Sequence, residues 1–273
     1  MQLQEAKKRF EAQRIEFAAI SYDTPAILRE FAQRHSIEYS LLADPDSQII
    51  RSFNVFNSRA TGKEKGMAHP GFVYIDSGGI AREEYFDPKE TDRITPNNVI
   101  GKLFTELTEE VIGNIEALNL RLTLEQSDRT VVPGNQITLT AEIELPPDVH
   151  VYAPGVEGYK PIQLTMQPRS GIDFAPVSYP ASKILYLEAI QEHVPVFEGK
   201  FRIREDATIM HSTTSDIVRS LVSSGKTVEI KGELKYQACD HRVCYPPASV
   251  PVTWSVKVLP LDLKRAPDDI RHK

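Results

Sequence analysis

The stretch TVEIKGELKYQACDHRVCYPP, residues 227–247, carries a strand pattern that runs directly into the two cysteines of the chain. Because side chains alternate between the two faces of a strand, its alternation of apolar and polar residues predicts a strand with one buried face. The residues assigned to the buried face are Val228, Ile230, Leu234, Tyr236 and Ala238. If this register continues, Cys239 belongs to the polar face, which predicts an accessible sulfur.

Residues 119–262 are predicted to form further short strands, separated by proline and glycine. In QITLTAEIEL, residues 136–145, apolar and polar residues again alternate strictly. The other strand candidates are HVYAP, PIQLTMQP, KILYLEA, GKFRIRE and VPVTWSVKVL. Trp254 lies among valines at every second position and is predicted to be a core residue. Many short strands at this spacing indicate a β-sandwich, which we interpret as immunoglobulin-like by its pattern.

The first 118 residues have a different hydrophobic pattern, in which segments with helical periodicity alternate with segments typical of strands. Asp23-Thr24-Pro25 is a helix-start signal, and GFVYID, Ser77-Gly78-Gly79 and IAREEYF predict a hairpin. The apolar periodicity of residues 97–115 predicts an amphipathic closing helix. The chain is therefore predicted to have an α+β, two-domain fold, with an α/β domain over 1–118, a β-sandwich over 119–262 and a polar tail over 263–273.

Composition excludes several classes of function. The chain has 273 residues and a net charge of −6, and its lysines and arginines form no stripe that would attract nucleic acid. No apolar run is long enough to predict a transmembrane segment. The start, MQLQEAKKRF, lacks the apolar region of a signal peptide, so a chain that truly begins at Met1 is expected to be cytoplasmic.

The spacing of Cys239 and Cys244 favours reversible redox chemistry. The four residues between them allow a tight turn, and a ring this small constrains the unfolded chain by only roughly 2 kcal/mol. His241 and Arg242 are expected to lower the pKa of a nearby thiol, whereas Asp240 has the opposite effect.

The residues Tyr245-Pro246-Pro247 fix the chain direction after the second sulfur and are interpreted as a rigid wall of the site. Two other interpretations of the cysteine pair stay open. One is a passive structural disulfide. The other is a metal site made by Cys239, His241 and Cys244, which lacks the fourth ligand of a closed zinc site.

The segment YQACDHRVCYPP, followed by the strand VPVTWSVKVL, resembles the amino-terminal domain of the DsbD thiol:disulfide interchange family over about residues 121–262. The resemblance implies an immunoglobulin-like sandwich outside the cytoplasm, in the periplasm. Such a domain takes electrons from a membrane-embedded DsbD-type partner and passes them to thioredoxin-like proteins. It implies that Cys239 and Cys244 are the exchanging pair, and that Tyr152 is the counterpart of a tyrosine that shields the sulfurs.

The first domain resembles the AhpC/TSA redoxins and other thioredoxin-like proteins over residues 1 to about 112. The resemblance is carried by IEFAAISYDTP, YSLLADPDSQIIRSFNV and HPGFVYIDSGG. In these families a strand and a redox cysteine precede the first helix, whereas no cysteine occurs before Cys239 here. We therefore expect an incomplete thioredoxin-like domain that has no cysteine chemistry of its own, with either a true start further upstream or another strand in the gap.

These observations predict a thiol:disulfide oxidoreductase that transfers reducing equivalents between thiol proteins through Cys239 and Cys244. The predicted site also contains Tyr152, Asp240, His241, Arg242, Tyr245 and Pro246. No cofactor and no metal are predicted. The alternative is a non-catalytic binding module in which the disulfide is permanent.

Overall fold

A computed structural model describes residues 2–86, 92–105, 110–187, 191–211 and 215–270. The chain forms two compact units, one made of Met1–Leu103 with Leu261–Lys273 and one made of Phe104–Pro260. The architecture is mixed α/β, with many strands and few helices.

The described residues of the first unit form four helices and five short strands. The helices are α1 (Gln2–Ala12), α2 (Pro25–His35), α3 (Gln48–Ser52) and α4 (Pro96–Leu103), with a 3-10 turn at Gly62–Glu64. The strands are β1 (Ala18–Ser21), β2 (Ser40–Ala43), β3 (Gly71–Ile75), β4 (Ala81–Phe86) and β5 (Arg93–Ile94). β1 and β2 pair in parallel, whereas β3 and β4 form an antiparallel hairpin.

The predicted helix start at Asp23-Thr24-Pro25 and the predicted hairpin are confirmed. The Thr24 hydroxyl accepts a hydrogen bond from the amide of Ile27, and Pro25 opens α2. In the β3–β4 turn, the Asp76 carboxylate accepts hydrogen bonds from the amides of Gly78 and Ile80. Gly79 has a φ of 78°, a left-handed conformation that glycine adopts without steric cost.

The second unit is built from strands and one helix, α5 (Asp216–Ser224). Its first strands are β6 (Glu110–Ala117), β7 (Leu120–Gln126), β8 (Thr130–Val131), β9 (Asn135–Glu144), β10 (His150–Tyr152), β11 (Gln163–Met166) and β12 (Ile172–Phe174). The remaining strands are β13 (Lys183–Leu187), β14 (Glu192–Glu198), β15 (Lys200–Ile209), β16 (Thr227–Tyr236), β17 (Ala238–Cys239) and β18 (Ala248–Val258).

These strands form two large layers and a smaller sheet. One layer has the order β12-β15-β9-β7-β6 and the other has the order β11-β16-β18-β8. One buried cluster takes residues from both layers, such as Leu139 and Ile203 from the first and Leu234 and Trp254 from the second. Trp254 is fully buried, as predicted. The smaller sheet has the order β13-β14-β10-β17 and carries the first cysteine.

The predicted closing helix over residues 97–115 is wrong in its second half. α4 ends at Leu103, and Glu110–Ala117 forms β6, which pairs with β7 through a turn at Asn119. The β-branched residues of this segment fit a pleated strand better than a helix. Because β6 and β7 belong together, the second unit begins at Phe104, whereas the sequence pattern placed the boundary after residue 118.

Candidate functional site

Cys239 and Cys244 form a disulfide bond, and their Cα atoms lie 4.0 Å apart. The loop between them is closed by backbone hydrogen bonds. The amide of Asp240 donates to the carbonyl of Val243 at 2.9 Å, and the amide of Tyr245 donates to the carbonyl of Ala238 at 2.9 Å. The disulfide therefore closes a tight turn that backbone hydrogen bonds stabilise.

Asp240 organises this turn. Its Oδ1 atom accepts hydrogen bonds from the amides of Val243 at 2.8 Å and Arg242 at 2.7 Å, and its Oδ2 atom accepts one from the Tyr245 hydroxyl at 2.7 Å. These bonds, led by those from the two amides, lower the pKa of Asp240 to about 2. Asp240 is therefore ionised at neutral pH, with its carboxylate engaged in holding the loop.

The expected accessibility of Cys239 is wrong. β16 ends at Tyr236, and the chain then leaves that sheet, so that Ala238 and Cys239 pair as β17 with β10 of the smaller sheet. Alternation holds only within one sheet, and two successive residues are buried at this crossing. Cys239 is 1% exposed, whereas Cys244 is an exposed residue.

The sulfur of Cys239 lies in a small apolar cluster separate from the main core. Its buried members are Tyr152, Val194, Val196 and Cys239, and Val156, Tyr159, Leu185 and Leu187 pack against them. Four of these residues come from the hairpin of β13 and β14. The β13–β14 hairpin thus covers one side of the disulfide and limits the approach of water to Cys239.

Tyr152 places a hydroxyl beside both sulfurs. Its Oη atom lies 3.8 Å from the Sγ atom of Cys239 and 3.8 Å from that of Cys244. The ring of Tyr152 stacks on Tyr159 at a centroid distance of 4.4 Å, and the Tyr159 hydroxyl donates to Glu192 at 2.5 Å. Burial raises the pKa of Tyr152, and the bond to Glu192 raises that of Tyr159 to about 12. Both phenols are therefore neutral donors at physiological pH.

His150 is a site residue that the sequence analysis did not select. It lies opposite Cys239 in the β10–β17 pairing, and its ring contacts that of Tyr152 edge-on at 5.6 Å. The side chain is 1% exposed, and its Nε2 atom has no hydrogen-bond partner among the described residues. Burial lowers the pKa of His150, which keeps the imidazole neutral at pH 7. The signal in the sequence is its position two residues before Tyr152, on the same face of a strand.

The remaining predicted residues lie on the exposed side of the loop. His241, Arg242 and Pro246 are exposed, and Nε2 of His241 lies 3.8 Å from Oδ1 of Asp148. Tyr245 is half-buried and packs against the main core. Among the described residues, no group of three or more His, Cys, Asp or Glu side chains has the arrangement of a metal site.

The second unit is thus a β-sandwich domain that carries a disulfide on a short, exposed loop beside a buried tyrosine. Residues 121–253 match the family model of the thiol:disulfide interchange protein DsbD, N-terminal. Residues 1–83 match the model of the AhpC/TSA family. The chain therefore joins a segment similar to redoxins to a domain similar to the DsbD amino terminus.

Two solved structures are similar to parts of the chain. The N-terminal periplasmic domain of ScsB from Proteus mirabilis is 12% identical, with a TM-score of 0.37, and the match covers 55% of this chain and 52% of that one. The DsbD N-terminal domain from Neisseria meningitidis in the reduced form is 15% identical, with a TM-score of 0.30, and the match covers 44% and 77%. The chain thus spans about half the length of the ScsB domain. A comparison with curated proteins gives no match. No described helix has the length and apolar character required to cross a membrane.

Proposed function

We propose that the protein is a thiol:disulfide oxidoreductase that carries reducing equivalents between thiol proteins through Cys239 and Cys244. The observation that supports this proposal best is the asymmetry of the pair, in which an exposed cysteine is bonded to a buried one beside a phenolic hydroxyl. Thiol exchange requires one sulfur that another protein can reach and a second sulfur that can leave and later resolve the mixed disulfide.

In the proposed reaction, the thiolate of a reduced partner attacks the Sγ atom of Cys244. The bond between the two sulfurs breaks, a mixed disulfide forms between the partner and Cys244, and the electron pair leaves on Cys239. A second thiolate of the partner then attacks the first sulfur of the partner, which is bonded to Cys244 in the mixed disulfide. This attack forms the partner's disulfide and releases Cys244 as a thiolate. The partner is oxidised to a disulfide, and this protein holds two reduced cysteines. The reverse sequence reduces the next protein.

The residues around Cys239 are suited to stabilise it as a leaving group. The Tyr152 hydroxyl is a neutral donor within 3.8 Å of its sulfur and can donate a hydrogen bond to the developing thiolate. The neutral imidazole of His150 lies opposite Cys239 and can accept a proton from the thiol when the pair is oxidised again. Both electrons are transferred by breaking and forming disulfide bonds, so the proposed reaction needs no cofactor and no metal.

The similarity of residues 121–253 to the DsbD N-terminal family supports a proposal for the partners and the compartment. We propose thioredoxin-like proteins and a DsbD-type membrane protein as the partners, in an extracytoplasmic compartment such as the periplasm. The first unit has no cysteine, so in this proposal it positions a partner and takes no part in electron transfer. The incomplete thioredoxin-like domain and the roles of His241, Arg242 and Pro246 stay predictions.

A redox titration of the full chain separates this function from that of a binding module with a permanent disulfide. Equilibration with dithiothreitol buffers, followed by alkylation and mass analysis, gives the reduction potential of the pair. We expect a value near that of cellular thiol buffers, whereas a value below about −300 mV marks a structural bridge and contradicts the proposal.

The single variants Cys239→Ser and Cys244→Ser provide the second test. Both are expected to abolish electron transfer to a reducible thioredoxin-like protein while lowering the melting temperature by only a few degrees, because so small a ring contributes roughly 2 kcal/mol. Unfolding of either variant at ambient temperature would support the structural reading instead.

A further inference from the structure

A cleft opens in the second unit at residues that play no part in the disulfide site. It has a volume of about 730 Å³ and is lined by residues of two edge strands, β11 and β12, together with the loops that follow them. Its walls combine polar and apolar residues, and the apolar part is formed by Leu164, Met166, Ile172, Phe174 and Val177. Clefts of this size are typical of small-molecule sites.

The cleft contains one buried carboxylate, that of Glu205. This residue lies on β15, where alternate residues such as Ile203 and Ala207 face the sandwich core. Glu205 follows the same alternation and is 5% exposed, yet it lines the cleft. Its Oε2 atom is buried and has no hydrogen-bond partner among the described residues. An acidic side chain in a core-facing position without a donor is costly, which indicates a role other than packing.

The charged and titratable groups that share the cleft do not supply the missing donor. Arg169 and Asp173 line it as exposed residues. Tyr179 does not line the cleft but is close enough for Glu205 to raise its pKa. Its hydroxyl accepts a hydrogen bond from the amide of Leu164 at 3.2 Å, and among the described residues none donates to Oε2 of Glu205. Desolvation raises the pKa of Glu205 to about 7, as expected for a carboxylate that lacks a counter-charge. A ligand with a positively charged donor would satisfy the Oε2 atom and hold Glu205 in its ionised form.

We propose that this cleft binds a small molecule that has one primary ammonium group on an apolar body, with the ammonium group paired with Glu205. The apolar part of the wall binds the body, and the buried carboxylate selects the cation over an alcohol or an acid of the same shape. A free amine fits better than a peptide strand added to the edge of β11, because the Leu164 amide on this side already donates to Tyr179.

Binding of n-hexylamine to the full chain tests the proposal, with titration calorimetry as the measurement. At pH 7.5 we expect saturable binding at one site, and binding of 1-hexanol or hexanoate at least tenfold weaker. Glu205→Gln preserves the shape of the side chain and removes its charge, and it is expected to weaken hexylamine binding at least tenfold. Glu229→Gln, a change at an exposed carboxylate of the same unit outside the cleft lining, is the matched control and is expected to alter binding less than twofold.

The wild-type protein provides a test that does not depend on folding of the variant. Since ionised Glu205 pairs with the ammonium group, binding should release about one proton at pH 5.5 and almost none at pH 9, measured from the binding heat in buffers of different ionisation enthalpy. Equal binding of hexanol and hexylamine, or equal losses caused by Glu205→Gln and Glu229→Gln, would overturn the proposal. Tighter binding of Nα-acetyl-lysine amide would show that the ligand is a lysine side chain of another protein and would overturn the assignment to a free amine.

Discussion

His150 lies directly opposite Cys239 in the antiparallel pairing of β10 with β17. Opposite residues in such a pair point to the same face of the sheet, with Cβ atoms about 5 Å apart. The imidazole is buried and its Nε2 atom is unpartnered among the described residues. Burial of this neutral imidazole has a measurable consequence for the stability of the protein.

His150→Gln is expected to change the response of the protein to acid. Burial lowers the pKa of His150 in the folded protein, so below pH about 6.5 the unfolded chain binds a proton that the folded chain does not. The wild-type protein therefore loses stability as the pH falls through this range, and the variant lacks that contribution. Urea midpoints at pH 5, 6 and 7.5 measure the difference. His193→Gln alters an exposed histidine as a control and should follow the wild type.

Tyr152→Phe removes the hydroxyl beside the two sulfurs and preserves the ring that stacks on Tyr159. The reduced form loses a hydrogen bond worth about 1 kcal/mol, which corresponds to a potential roughly 20 mV more negative for a two-electron couple. Reduction by dithiothreitol should also slow, because the leaving thiolate is less stable. Tyr179→Phe, a change at a tyrosine that packs against the main core and not against the disulfide, should leave both values unchanged. A Tyr152→Phe potential equal to that of the wild type would remove the hydroxyl from the proposed reaction.

The sequence predicts regular structure well where a segment stays within one helix or one sheet. The hairpin of β3 and β4, the N-terminus of α2 and the burial of Trp254 all follow from local patterns. The prediction fails where the chain leaves one sheet and pairs with a strand of another. After Tyr236 it moves to another sheet, and periodicity cannot show such a crossing, since it records only the spacing of apolar residues.

The same limit explains why part of the site was missed. Cys239 and Cys244 are close in sequence, so their pairing can be inferred from spacing. His150 comes from a strand far away in the chain, and only the register of β10 with β17 brings it opposite Cys239. The segment 97–115 shows the complementary failure, because its apolar residues fit a helical period while Glu110–Ala117 forms a strand with β7.

The burial difference between the cysteines predicts unequal reactivity of the single variants. Cys239→Ser leaves the exposed Cys244, and Cys244→Ser leaves Cys239 at 1% exposure beneath the β13–β14 hairpin. Iodoacetamide should therefore label the Cys239→Ser protein at least tenfold faster in native buffer. In concentrated urea the two rates should become similar. Equal native rates would show that Cys239 is as reachable as Cys244.

The raised pKa of Glu205 predicts a dependence of stability on pH that is opposite in sign to that of His150. Its pKa is raised from 4.5 to about 7 in the folded protein, so between these values the folded chain binds a proton that the unfolded chain releases. Stability contributed by the protonated group is complete below pH 4.5 and is lost as the pH rises to about 7. At 1.36 kcal/mol for each pKa unit, the loss is about 3 kcal/mol.

Glu205→Gln is neutral at every pH and should remove this loss, so that the variant gains stability over the wild type as the pH rises from 5 to 8. Urea unfolding at both values measures the gain, and Asp173→Asn serves as a control from the same cleft. Saturating hexylamine should reduce the gain at pH 8, because the ammonium group stabilises the ionised carboxylate of the wild type alone. A constant difference between variant and wild type across this range would show that Glu205 ionises normally and that its carboxylate has water or another donor within reach.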